Sequence, residues 1–260
     1  MRGDMTYGEY LRIPELLSLQ QLQSGSEHDE LLFITIHQVY ELWFQQILHE
    51  LDRLAEWIDD DELVRGSHQL VRVLKILKTM VGQLDVLETM TPLEFLSFRD
   101  FLGNSSGFQS VQFRELEFLL GHRQQQHLDR FEGTPDHERL AARWEAPSLW
   151  HHFLELLDRR GFSLPAEVLD VEPGASTASD ERVQDALVEA YRSDPGLREF
   201  CELLTDMDEG LMEWRYRHVM MVMRTIGTKM GTGGSSGAGY LRSTLFNPLF
   251  PDLWEIRTRL

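Results

Sequence analysis

The stretch EHDELLFITIHQVYELWFQQILHELDRLAEWIDD, residues 27–60, constrains the fold more than any other. In it Leu32, Ile36, Val39, Trp43, Ile47, Leu51 and Leu54 recur at spacings of three and four, the period of a helix with one buried stripe. A helix this long is a bundle spine, and its stripe needs partners of similar length. Residues 61–88 supply one, with Leu70, Val73, Leu74, Leu77, Met80, Leu84 and Leu87 on one side. Residues 195–226, opened by Pro195, supply another. No stretch keeps a strand alternation for more than a few residues, and no internal repeat is visible. The expected architecture is all-α, a helical bundle with embellishments, formed by residues 1–260 as a single domain.

Local punctuation sharpens the boundaries. Thr91-Pro92-Leu93-Glu94 combines a capping threonine, a proline at the first helical position and a glutamate that completes a capping box. Gly103 ends that short helix, residues 104–107 turn, and residues 108–121 form the next helix, closed by Gly121. Residues 165–181, rich in Pro, Gly, Ser and acids, read as a surface loop, followed by a helix over 179–193.

Charge and cysteine content exclude several classes of function. Acids outnumber bases 43 to 25, giving a formal net charge of −18. Nucleic acid and anionic membranes both demand a basic footprint and are not expected partners. The one cysteine, Cys201, rules out a disulfide framework within the chain and a multi-cysteine zinc site. The start, MRGDMTYGEYL, has no apolar stretch of signal-peptide length, and LLFITI is too short to span a bilayer. These features lead to the expectation of a soluble protein of the reducing cytoplasm, with Met1 and Met5 both open as the start.

Two histidines stand apart from the other eight by their apolar company. His37 shares a helical face with Phe33 and Tyr40, and His218 lies among Trp214, Met221 and Val222. Each alone also fits a core histidine with a hydrogen-bonded ring; a lone histidine on an apolar wall is equally what a heme iron takes as its proximal ligand. His28, His68, His122, His127 and His137 have polar neighbours and read as solvated. His151 and His152 are adjacent on a helix and so point apart, which makes them no metal pair. Arg99, among Phe95, Phe98 and Leu102, either snorkels or pins a carboxylate with its planar fork. The run GTKMGTGGSSGAG lacks P-loop order and follows a helix, so it is either a plain flexible loop or one whose backbone must come close to a ligand.

Taken in order, the motifs FITIHQVYELW, LETMTPLEFLSFR, SSGFQSVQFRELEF, WRYRH and IGTKMGTGGSSG resemble the tryptophan 2,3-dioxygenase family over nearly the whole chain, Tyr7 to Arg257. The resemblance implies an all-helical homotetramer with one heme b per subunit, which inserts both atoms of O2 across the indole C2–C3 bond of L-tryptophan to give N-formylkynurenine. It places the proximal iron ligand at His218, indole packing at Phe33 and the acceptor for the indole N–H at His37. Arg99 falls on the clamp for the substrate carboxylate, Phe95 beside it, and Thr232 on the group that binds the amino-acid ammonium and carboxylate. Ser106 and Gly107 fall on the turn beside the distal heme face, and Tyr7 and Tyr10 on tyrosines that reach into a neighbouring subunit's site.

Three positions depart from some members. Phe95 stands where certain bacterial members have a tyrosine touching the carboxylate, Leu84 where those carry a tryptophan, and Phe113 in place of a tyrosine. Each change removes a polar group. The alternative they leave open is a related heme monooxygenase that inserts one oxygen into tryptophan or β-methyltryptophan.

Overall fold

A computed structural model describes residues 4–231 and 238–260. Its α-helices, in chain order, are α1 (Tyr7–Leu11), α2 (Ile13–Leu16), α3 (His28–Asp59), α4 (Leu63–Leu87), α5 (Pro92–Phe98), α6 (Val111–Leu119), α7 (Gln125–Asp129), α8 (His137–Glu145), α9 (Leu149–Arg159), α10 (Ala166–Leu169), α11 (Glu181–Ser193), α12 (Pro195–Ile226), α13 (Ala238–Ser243) and α14 (Pro251–Glu255). No strand occurs among the described residues, so the fold is all-α as the periodicity requires.

The spine is α3, α4 and α12 packed against one another. With 32 residues each, α3 and α12 extend about 48 Å at 1.5 Å per residue. Their stripes meet in a dry core in which Leu51, Leu54, Ile58, Leu70, Met80, Leu84 and Phe200 are fully buried. Gly66 permits the closest approach. A Cβ there would stand 3.1 Å from Leu54 Cδ1 and 3.2 Å from Phe200 Cε2, tighter than van der Waals packing tolerates. A smaller apolar cluster of Phe118, Leu128, Phe131 and Leu140 joins α6, α7 and α8 at one side.

Helix ends follow the local chemistry. Thr91 and Glu94 form the expected capping box of α5. That helix gives way after Phe98 to a 3-10 turn, Arg99–Leu102, before Gly103 at φ 55°. The helix expected over 108–121 begins later. Gly107–Gln109 is a separate 3-10 turn, and Ser110 caps α6 by accepting the Phe113 N–H. The loop expected over 165–181 contains the one-turn α10, with Val168 buried. Among the described residues no helix is long and apolar enough to cross a membrane.

Candidate active site

One end of the spine does not close. There α3, α4, α5, α6, α12 and α13 surround a cavity of about 550 Å³. Phe33, His37, Phe95, Arg99, Ser106, Gly107 and His218, far apart in the chain, all line it. Leu84 and Phe113, two of the divergent positions, line it as well. Tyr7 and Tyr10 do not; they stand on α1, 77% and 74% exposed in the single chain. Thr232 lies outside the described residues, although its neighbour Gly231 borders the cavity.

His218 projects from α12 with its ring stacked on Trp214, centroids 5.6 Å apart and planes within 3°. Burial, with a smaller contribution from His37, pushes its pKa down to about 4, so the imidazole is neutral. A neutral imidazole on an apolar wall has the chemistry of a metal ligand.

Across the cavity His37 is held differently. Its Nδ1 lies 2.7 Å from the Phe33 carbonyl oxygen, one helical turn back. A carbonyl only accepts, so Nδ1 carries the proton and Nε2 is left as an acceptor. Burial again lowers the pKa, which keeps the ring neutral. His37 is nevertheless exposed to solvent and lines the cavity. Phe33 lies against it, ring centroids 4.1 Å apart, and touches Phe95 and Phe98 at 5.7 and 5.5 Å. The result is an aromatic wall of mutually tilted rings beside an imidazole acceptor. Arg99 closes this side, one guanidinium N–H donating to the Met230 carbonyl at 2.6 Å.

The opposite pole is ionic. Arg114 donates to Glu117 at 2.5 Å, and Arg215 to the other carboxylate oxygen at 3.4 Å. All three are buried, so two guanidiniums share one carboxylate, and Arg114 Nε has no partner among the described residues. Tyr240 of α13 completes this pole. Sequence reading gave none of these four a role. A hint was present in FRELEF, where Arg114 and Glu117 sit one turn apart inside an apolar helix. His127, read as solvated, is 3% exposed and joins the same network, 3.1 Å from Arg114 Nη1 and 3.1 Å from the Tyr240 hydroxyl. His122 is half-buried, and burial lowers its pKa.

Tyr40, on the wall between the poles, donates to the Met80 carbonyl at 2.9 Å, and burial raises its pKa to about 12. It stays protonated and takes no part as a base. Among the described residues, the His/carboxylate group with metal-ligand spacing is Asp59, His152 and Glu155. It lies outside the cavity lining, and His152 already pairs with Asp59 at 2.8 Å.

Geometry of this kind narrows the chemistry, and comparison with known proteins decides the family. The profile described as tryptophan 2,3-dioxygenase matches residues 1–170 and 167–260. The chain belongs to the tryptophan 2,3-dioxygenase family. A relative of that name from Herpetosiphon aurantiacus is 53% identical over 261 residues, covering all of both chains. One from Anaeromyxobacter sp. strain K is 52% identical over 98% of this chain and 96% of its own. One from a Nocardioides species is 49% identical over 99% and 96%. Family membership thus rests on the full length, and the motif-bearing residues are those that the fold gathers around one cavity.

Proposed function

We propose that the protein is a heme-dependent dioxygenase that opens the indole C2–C3 bond of L-tryptophan with O2, giving N-formylkynurenine. The observation that carries the reading is the pair of neutral imidazoles lining one cavity, His218 on its apolar wall and His37 with Nδ1 held by the Phe33 carbonyl. The residues fit the cofactor. His218 would hold the iron, and the cationic pole formed by Arg114, Arg215 and Tyr240 would take the porphyrin's carboxylates. Ser106 and Gly107 stand at the distal turn. When bound, the heme supplies the iron at which O2 is activated.

The chain's own residues do the rest. The Phe33 ring gives the indole a flat face to pack on. His37 Nε2 accepts the indole N–H and fixes the ring's rotation about its plane; as a neutral, desolvated acceptor it orients the substrate without needing to remove the proton. The Arg99 guanidinium pairs with the substrate carboxylate in the bidentate manner its fork allows. Thr232 is assigned to the ammonium and carboxylate. Phe95, Leu84 and Phe113 keep proton donors away from the reacting face. Tyr7 and Tyr10, exposed on α1 and absent from this cavity, are assigned to a neighbouring subunit's site within a homotetramer.

The test is direct. Heme-loaded protein is reduced without oxygen, given L-tryptophan and O2, and the product is weighed by mass spectrometry. A gain of two oxygen atoms with N-formylkynurenine absorbance is the expected result. A gain of one would assign the single-oxygen insertion instead, and an inability to take up heme would overturn the role of His218.

A further inference from the structure

His127 lies behind the cavity wall. It does not line the cavity, it is buried, and no step above uses it. Its contacts nevertheless define a proton arrangement. Arg114 Nη1 stands 3.1 Å from His127 Nδ1 and 3.5 Å from its Nε2, and the Glu117 carboxylate lies 3.6 Å from Nδ1, beyond hydrogen-bond reach. Arginine has only donors, so the nearer ring nitrogen, Nδ1, is assigned as the acceptor, which places the ring's single proton on Nε2. Nε2 stands 3.1 Å from the Tyr240 hydroxyl. The Nε2–H therefore donates, and the Tyr240 oxygen is committed as its acceptor. That leaves the tyrosine's own proton without an acceptor among the described residues, on a side chain that lines the cavity. The Tyr240 ring is pinned edge-on to Phe108 at 4.9 Å, so the hydroxyl's position is set by packing and only its hydrogen is free to turn.

We infer that His127 is a positioning residue that turns the Tyr240 hydroxyl into a donor toward an anion in the cationic pole of the cavity. The inference rests on the heme reading above, in which that anion is a carboxylate of the porphyrin edge. The chain of donation runs one way. Glu117 fixes Arg114, Arg114 fixes the His127 tautomer, and His127 occupies the lone pair of Tyr240 that would otherwise compete for the hydroxyl's orientation. With the opposite tautomer the hydroxyl would donate backward to His127 and present only lone pairs to the cavity, beside an anion that repels them.

The experiment measures heme loss from the holoprotein to an excess of apomyoglobin, followed by absorbance, together with thermal melting of the heme-free protein. His127→Leu should speed heme loss about tenfold, the effect of removing a hydrogen bond to a charged group. Tyr240→Phe should do the same, and the double variant should lose heme no faster than either single one, because the two act through one bond. His127→Gln, whose amide accepts from Arg114 and donates to Tyr240, should stay within about twofold of the unaltered protein. Additive losses in the double variant, or a lowered melting temperature with unchanged heme loss in His127→Leu, would make His127 a packing residue and overturn the inference alone. An unaltered chain that takes up no heme would overturn the heme reading and this inference together.

Discussion

Asp208 and Arg215 lie two turns apart on α12, 1% and 5% exposed, yet their surroundings differ in kind. One oxygen of Asp208 accepts the backbone N–H groups of Leu249 and Phe250 at 2.9 and 3.2 Å and the Trp254 indole N–H at 2.9 Å. These donors come from the chain that enters and forms α14, and the carboxylate ties that segment to the spine. Arg215 shares a single carboxylate with Arg114 and borders an open cavity. A buried carboxylate that takes three donors of its own protein on one oxygen is scaffolding, even with its second oxygen unpartnered among the described residues. Buried cations that outnumber their carboxylates carry an unmet cost, which a ligand of opposite charge removes. The same helix therefore serves as strut at one end and as cavity wall at the other.

If that division holds, damage at each end should be read by a different instrument. The largest effect belongs to the cavity end. His218→Ala should abolish stoichiometric heme binding, seen as loss of the Soret band, while the melting temperature of the heme-free protein stays near that of the unaltered chain. A variant that still binds heme tightly would break the assignment. Phe200→Ala, in the dry half of α12, should do the reverse. It should cost about 3–5 kcal/mol in denaturant unfolding, as truncation of a fully buried aromatic does, with heme binding by the folded fraction unchanged.

Asp208→Ala should cost about 3 kcal/mol, because three buried donors lose their acceptor. Arg99→Ala should raise KM for tryptophan by about tenfold or more, with kcat less affected, since a hydrogen bond to a charged group contributes about 1.5–3 kcal/mol. A change confined to kcat would mean that the contact forms only in the transition state. His37→Ala should slow turnover by about threefold to tenfold without ending it, the weight of one neutral hydrogen bond; full activity would remove its role as acceptor.

The smallest effect sharpens the scaffold end. Burial raises the Asp208 pKa despite the three donors, which pull it the other way. A carboxyl raised in the folded state contributes stability that is complete below its unfolded value, about 4, and is lost as pH rises through the folded value. The stability of the unaltered protein relative to Asp208→Asn should therefore decline from pH 4 toward neutrality in paired urea titrations. An advantage that grows with pH would mean that the donors outweigh desolvation.

Much of the molecule is legible in its sequence. The stripe of Leu51 and Leu54 against Leu70 and Met80 follows from the helical period, and the capping box at Thr91 from local hydrogen-bond chemistry. Phe33 and His37 have to share a face because four residues make about one turn. The ionic pole is not legible in this way. His127 has the neighbours Gln124, Gln125, Gln126 and Asp129, which suggest solvent, yet the fold buries it against Arg114 and Tyr240. Local polarity reports a residue's own turn of helix and says nothing of which helix packs over it.

The sequence by itself determined the helices, the long stripes that force α3, α4 and α12 together, and the family, because these depend on residues near one another in the chain or on motif order. Only the tertiary structure decided that seven candidate residues from α3, α5, α12 and the turns around 99–107 line one cavity. It also decided which nitrogen of His37 carries the proton, and that His127 is buried against Arg114. Those outcomes turn on hydrogen bonds and burial across distances of a few ångströms between segments dozens of residues apart, and no periodicity encodes them.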